Sequence, residues 1–234
     1  MAKSFGIVED KLREAEFFLT KLRESNRFEY ESRYYFSAFI SAARSVTMVL
    51  QKTMKDVDGF TSWYQNVQSQ LKADPLAKYF VEIRNGAIHE GFNPLNQVTI
   101  EHLREDLIRQ MHQNDHSHIL ILPNFQAQGL STLTDAVETS KQYFISLIKT
   151  VFECYKEFRY VVDPQWYFTY ENFTDMGKTI EDAIAEFGLP PEWALCAPEG
   201  ESAWRILRSQ QPSCQINDLF QEYIDGEIKS PDNI

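Results

Sequence analysis

The sequence predicts a mainly α-helical protein. The expected architecture is an antiparallel helical bundle of four to five helices, with room for a small β-hairpin and with a short helical C-terminal appendage. Two observations predict this class. Apolar residues recur at spacings of three and four through several long segments. The connections between the first four of these segments are short, which favours antiparallel neighbours.

The first three helices follow from apolar periodicity. The first helix runs roughly to Ser25, and the second spans about residues 30–54. Asp58-Gly59 breaks the pattern, and a third helix covers about residues 61–71. The apolar face of the first helix consists of Phe5, Val8, Leu12, Ala15, Leu19 and Leu22.

The fourth helix has a clear start signal. Asp74 is a good N-cap residue, and Pro75 follows at the first helical position. The apolar stripe of this helix is Leu76, Phe80, Ile83 and Ala87, and the pattern ends near Glu90-Gly91.

The middle of the chain allows two interpretations. Val98 and Ile100, with His102 as a further position, alternate as in a strand, and the apolar run 118–122 is closed by Pro123. We expect these two segments to form the hairpin, although residues 101–111 fit a helix equally well. A long helix then covers about residues 132–160.

The sequence predicts that the C-terminal part is a separate appendage. Asp163-Pro164 marks the end of the bundle, which gives a bundle domain at 1–164 and an acidic helical appendage at 165–234. Thr174-Asp175 is expected to cap a helix that is stopped by residues 188–191. Short helical patterns follow around residues 204–207 and 216–224.

Composition sets limits on function. Apolar residues make up 43% of the chain, as in a globular protein, and no apolar run approaches the ~20 residues of a membrane span. The three cysteines form no CxxC pattern, which suits a reducing compartment, so we expect a cytoplasmic protein that does not associate with membranes. The net charge of −11 argues against tight non-specific nucleic-acid binding. Residues 165–234 carry 13 acidic and four basic residues, a net of −9, so the rest of the chain is close to neutral.

The motif that carries chemistry is residues 84–89, Arg-Asn-Gly-Ala-Ile-His. An arginine can stabilise the charge that develops on a pentavalent phosphate, and a histidine can move protons near neutral pH. Together they supply what RNA cleavage needs without a metal. The alternative is a polar helix edge, in which Arg84 pairs with Glu82, Glu90 or an acid of the appendage and His89 interacts with the helix C-terminus.

Helix geometry restricts how these two groups could meet. Five residues turn an ideal helix by about 140°, so Arg84 and His89 of one uninterrupted helix point apart. Either Gly86 lets the helix loosen before His89, or two copies of the helix pair so that each Arg84 meets the other chain's His89.

Residues 5–160 resemble the HEPN superfamily. The resemblance rests on the RNxxxH motif and on the preceding long helix with residues 34–39 and 42–45. It implies a homodimer, a metal-independent endoribonuclease that needs no cofactor, and a toxin or a defence or stress effector. It assigns catalytic roles to Arg84 and His89, with Asn85 as a polar assistant. A subfamily regulated by nucleotidyltransferase antitoxins has a tyrosine two places after the histidine, where this chain has Gly91, so that form of regulation is not supported.

Other interpretations stay open. The superfamily includes members that bind RNA or a protein partner without cutting, and here the acidic appendage could engage a basic partner or occupy the RNA cleft. His112, His116 and His118 could bind zinc, but a polar turn is the favoured interpretation. The aromatics of residues 166–173 could stack on bases, but an aromatic seam that docks the appendage onto the bundle is favoured.

Overall fold

The computed structural model describes residues 5–25, 30–91, 95, 119–121, 133–196, 198, 200–211 and 215–233. The protein is mainly α-helical, as the sequence predicts. Five long helices come first: α1 Gly6–Glu24, α2 Tyr30–Met54, α3 Phe60–Ala73, α4 Pro75–His89 and α5 Ala136–Val162. Shorter helices follow: α6 Pro164–Tyr167, α7 Tyr170–Asp175, α8 Ile180–Glu186, α9 Glu201–Ser209 and α10 Asn217–Ile224. Two 3-10 helices, Pro191–Cys196 and Pro231–Asn233, and two strands, β1 Ile119–Ile121 and β2 Leu133–Asp135, complete the described elements.

The chain divides into two compact units. The bundle unit comprises Asp10–Lys52 and Asp58–Leu147, and the tail unit comprises Met1–Glu9, Thr53–Val57 and Ile148–Ile234. The division falls inside α5, whereas the domain boundary predicted between residues 164 and 165 lies after that helix and stays a prediction. No helix in the described part of the chain combines the length and the apolar character needed to cross a membrane.

The first four helices lie where apolar periodicity and capping predict them. All six apolar-face residues predicted for α1 are buried. Asp74 links α3 directly to α4: its backbone N–H donates to the Gln70 carbonyl at 2.9 Å, and its side chain accepts from the Leu76 N–H at 2.9 Å. One residue therefore ends one helix and caps the next, which fixes where α4 begins.

Aromatic packing holds α4 in the bundle unit. Phe80 of α4 is 2% exposed, and its ring stacks on that of Tyr143 of α5, with centroids 4.3 Å apart and planes 6° from parallel. Phe39 of α2 meets the Phe80 ring edge-on at 6.1 Å. This arrangement fixes which faces of α4 are buried and which remain available for chemistry.

The hairpin differs from the one predicted. β1 pairs antiparallel with β2, with Ile119 opposite Asp135. The sequence prediction paired the 118–122 run with Val98 and Ile100, which lie outside the described residues, and it placed residues 133–135 in the long helix. The helix begins later because the Asp135 carboxylate accepts a hydrogen bond from the Glu138 N–H at 2.8 Å and so caps α5 from outside.

The packing of the aromatic residues between 166 and 173 differs from the predicted seam between the appendage and the bundle. Tyr167, Phe168 and Phe173 pack with Ala183, Ile184, Trp204 and Leu207 into a core inside the tail unit. These three residues therefore hold the tail unit together, and their burial removes them as surfaces for base stacking, whereas Tyr170 is 57% exposed. Trp166 does contact α5, where the Arg159 guanidinium lies 4.1 Å from its ring centroid.

The cap of α8 is also different. Thr174 and Asp175 belong to α7, and the chain turns through Gly177 before α8 begins. Thr179 is the N-cap, and the Asp182 carboxylate accepts from its backbone N–H at 2.8 Å in a capping box.

Candidate functional site

The helix that carries the RNxxxH motif is continuous through the motif. α4 runs to His89, and the Glu90 N–H still donates to the Gly86 carbonyl at 3.0 Å. Gly86 therefore does not loosen the helix, and the first of the two routes by which Arg84 and His89 could meet is wrong. Within one chain their directions from the helix axis differ by about 140°.

Arg84 is a half-buried cation without an acidic partner in the described part of the chain. Its Nη1 donates to Oδ1 of Asn85 at 3.3 Å. Its Nε is buried and finds no hydrogen-bond acceptor among the described residues. Neither Glu82 nor Glu90 forms an ion pair with it, so the polar-edge pairs that the sequence allowed with these two residues do not form. A guanidinium left in this state can still receive an anionic ligand.

Asn85 and His89 are both exposed and lie one helical turn apart. Residues at i and i+4 are neighbours on one helix face, so Asn85 shares a face with His89 and a hydrogen bond with Arg84. The chain then turns away at Gly91, where φ is 65°.

A cavity in the bundle unit lies along the same face of α4, one turn earlier. We call it the α4 cavity. It measures about 420 Å³, and helices α2 to α5 line it. Its α4 residues include Lys78 and Glu82, which precede Asn85 and His89 at helical spacing. The cavity therefore belongs to the same strip of surface as the motif.

The α4 cavity is lined by more positive than negative charge. Arg44, Lys72 and Lys78 face one carboxylate, Glu82. None of the three cations has a carboxylate partner in the described ranges. Arg44 is held in place by a hydrogen bond from Nη1 to Oγ1 of Thr47 at 2.6 Å. Such a lining suits a phosphate group.

A neutral phenol completes the lining of the α4 cavity. Burial raises the pKa of Tyr143 to about 12, although the positive charge of Arg44 opposes the shift. The hydroxyl therefore remains a hydrogen-bond donor at physiological pH. Sequence reasoning missed the cavity because its residues come from four helices and form no local pattern. The histidines at 112, 116 and 118 lie outside the described residues, so the zinc alternative is untested.

Comparison with known proteins gives one similarity. A family model described as bacteriophage lambda protein ea47 matches residues 9–103, less than half of the 234 residues. The matched range includes α2 to α4 and the whole RNxxxH motif. No curated protein and no solved structure matches the chain.

Proposed function

We propose that the protein is a metal-independent endoribonuclease of the HEPN type. The observation that carries the proposal is the arrangement on α4. A half-buried Arg84 without a carboxylate partner among the described residues is hydrogen-bonded to Asn85, one turn before an exposed His89. A polar helix edge that only solvates the surface would not need to keep a cation partly buried and unpaired.

In the proposed reaction the 2′-hydroxyl oxygen of RNA attacks the adjacent phosphorus, and the bond from phosphorus to the 5′-oxygen breaks. His89 takes the 2′ proton or delivers a proton to the departing 5′-oxygen. Arg84 stabilises the non-bridging oxygens as their negative charge grows, and Asn85 orients Arg84 through their hydrogen bond. The products are a 2′,3′-cyclic phosphate and a 5′-hydroxyl.

A homodimer supplies the geometry that one chain lacks. Because Arg84 and His89 leave a continuous helix about 140° apart, one chain does not direct both side chains at the same phosphorus. Two α4 helices related by a two-fold axis would bring Arg84 of one protomer to His89 of its partner, and would do so twice. The cations of the α4 cavity would then hold neighbouring phosphates of the RNA.

The proposed setting is that of a toxin or of a defence or stress effector in the cytoplasm, where a protein partner or antitoxin could control it. The similarity of residues 9–103 to a phage protein family fits a role in conflict between phage and host.

The decisive experiment is cleavage of mixed single-stranded RNA and transfer RNA in EDTA by the wild type and by Arg84→Ala, Asn85→Ala and His89→Ala. We expect Arg84→Ala and His89→Ala to lose about 100-fold or more of the rate. Arg23→Ala, which removes an exposed arginine of α1, is the matched control and should cleave like the wild type. Substrates with 2′-deoxy sugars should resist, and the products should carry cyclic-phosphate ends.

Equal cleavage by all variants would point to a contaminant and refute the assignment. Absence of cleavage by the wild type would favour the second candidate, a non-catalytic HEPN-like dimeric module that binds a protein or RNA partner. The observation that favours this candidate is the exposure of Trp193 and Leu195 in the tail unit, since exposed large apolar side chains often mark interaction surfaces.

A further inference from the structure

The tail unit contains an apolar groove that no core residue fills. We call it the tail groove. Its volume is about 350 Å³, and it lies between α8, α9 and the 3-10 helix Pro191–Cys196. The main lining residues are Ile180, Ile184, Leu189, Trp193, Ile206 and Leu207. None of the described lining residues is charged, so the groove favours apolar groups.

Large apolar side chains stay exposed around the tail groove. Trp193 is 57% exposed, Ile206 is 53% exposed and Leu195, beside the lining residue Cys196, is 88% exposed. The 3-10 helix that carries Trp193 and Leu195 buries none of its residues. An exposed tryptophan next to a preformed cavity has the composition of an interaction hot spot.

Two acidic side chains lie beside the tail groove. Glu181 and Glu192 are exposed and lie next in sequence to the lining residues Ile180 and Trp193. A hydrogen bond with Thr179 lowers the pKa of Glu181, so its carboxylate is ionised at neutral pH.

The nearby cations are already engaged. Lys178 pairs with Glu186, and Arg208 pairs with Glu201 and Asp232. Arg205 follows the same pattern less closely: it is next in sequence to the lining residue Ile206, is 64% exposed, and lies 3.6 Å from Asp232, which also pairs with Arg208. Residues 165–234 as a whole carry a net charge of −9.

We propose that the tail groove docks an amphipathic helix of a partner protein whose apolar face is flanked by lysine and arginine. The apolar lining accepts a few large side chains of such a helix, and the acidic edge attracts its basic flanks. A small molecule would need several converging polar groups to orient it, which this lining lacks. RNA and anionic membranes would be repelled by the same acids. The inference does not depend on the ribonuclease proposal.

The test uses the full-length chain and a synthetic amphipathic peptide of about 15 residues, with leucines at helical spacing and flanking lysines and arginines. A second peptide carries glutamate in place of each basic residue. We expect the basic peptide to shift the fluorescence of Trp193 to shorter wavelength and to shield it from acrylamide. The Trp193→Phe variant should lose this fluorescence change, which assigns the change to Trp193. Added salt should weaken binding of the basic peptide, because it screens the attraction between opposite charges.

Two variants separate the apolar and the electrostatic contributions. Ile206→Asp should weaken binding of the basic peptide about tenfold or more, because it places a carboxylate in the apolar lining. Glu192→Lys keeps the lining and should also weaken binding, which guards against a folding defect in the first variant. Met48→Asp in α2 is the matched control, since Met48 is also 53% exposed, and it should bind like the wild type.

A chemical probe gives an independent readout. Cys196 is exposed and lines the tail groove, whereas Cys154 is buried and its pKa is raised to about 12 by that burial. In a Cys214→Ser background, iodoacetamide should label Cys196 and leave Cys154 unmodified. The basic peptide should slow this labelling.

Four results would overturn the proposal. They are no binding of the basic peptide, equal binding of the acidic peptide, equal loss of binding in Met48→Asp, and tight binding of a small apolar dye that the peptide does not displace. A change of oligomeric state in Ile206→Asp would instead assign the groove to a second copy of the chain. RNA cleavage is measured on the same samples, and Ile206→Asp should leave it unchanged, so failure of either proposal is seen separately.

Discussion

Arg84 and Asn85 are joined side chain to side chain: Nη1 of the guanidinium donates to the amide Oδ1 at 3.3 Å. His89 lies one turn after Asn85 on the same unbroken helix. Asn85 is therefore bonded to the guanidinium and lies one turn before the imidazole, and Arg84 and His89 leave the helix in different directions. The proposed ribonuclease site therefore combines the arginine of one chain with the histidine of a second chain.

The first prediction is that two inactive variants restore each other's activity. In a dimer that combines one Arg84→Ala chain with one His89→Ala chain, one composite site loses both groups and the other keeps both. If the two variants exchange subunits freely in an equal mixture, about half of the dimers are heterodimers, and each heterodimer has one intact site out of two. The mixture should therefore recover about a quarter of the wild-type rate. RNA cleavage before and after mixing measures it. A mixture that stays inactive although mass spectrometry shows heterodimers would exclude the composite site.

The second prediction concerns the ring contacts that hold α4. Phe80→Ala removes the stack on Tyr143 and the edge contact with Phe39 at a site that is 2% exposed. We expect the free energy of unfolding of the bundle unit to fall by about 3–5 kcal/mol. Urea unfolding followed by circular dichroism measures it. Tyr34→Ala in α2, at a position that is 67% exposed, should change stability by no more than about 0.5 kcal/mol. Similar effects of the two substitutions would contradict the packing described.

The third prediction concerns a buried arginine in the tail unit. The side chain of Arg208 is 1% exposed, and it donates to Glu201 at 2.5 Å, to Asp232 and to the Phe168 carbonyl at 3.3 Å. Arg208→Met leaves these acceptors without their donor, and it should destabilise the tail unit by about 2–4 kcal/mol. Thermal unfolding measures the loss.

Arg205→Met is the matched control for Arg208. Its side chain is 64% exposed and lies 3.6 Å from Asp232, so an effect below about 1 kcal/mol is expected. A loss for Arg205→Met as large as that for Arg208→Met would show that burial of the guanidinium does not matter.

The fourth prediction is a pH dependence of stability that Asp163 produces. Burial raises the pKa of this carboxyl, and hydrogen bonds from the Tyr155 hydroxyl at 2.5 Å and the Gln165 N–H at 2.8 Å oppose the rise. The folded state therefore holds the proton more tightly than the unfolded chain does. This stabilising contribution is fully present below the unfolded pKa of about 4, and it is lost as pH rises through the folded pKa.

Asp163→Asn cannot ionise and should lack this loss. The unfolding free energy of the variant should therefore rise relative to that of the wild type as pH rises from the unfolded pKa of about 4 through the folded pKa. Urea unfolding at intervals of pH measures the difference. Asp175→Asn, at an exposed position, should run parallel to the wild type over this range. Parallel curves for Asp163→Asn as well would show that the folded pKa is not raised.

Short-range signals in the sequence determined much of the fold. The Asp74-Pro75 start of α4 and the glycine turn after α8 were predictable, because a cap or a turn depends on a few neighbouring residues. The apolar stripe of α1 was predictable because one side of a helix can be buried only as a periodic pattern. The start of α5 was missed because the apolar pattern of a helix continues before Asp135, where the capping hydrogen bond begins the helix. The sequence does not show which of these two local signals sets the first residue of the helix.

The sequence by itself determined which chemical groups α4 carries and, from a spacing of five, that they point apart on a continuous helix. Only the tertiary structure decided that the helix stays continuous through Gly86 and that Arg84 is half-buried without a described acidic partner. It also decided that Tyr167, Phe168 and Phe173 form part of a core. It also decided that α2 to α5 enclose a basic cavity and that α8 and α9 leave an apolar groove open. The physical reason is that burial and cavity formation depend on residues distant in sequence, whereas capping and periodicity are local.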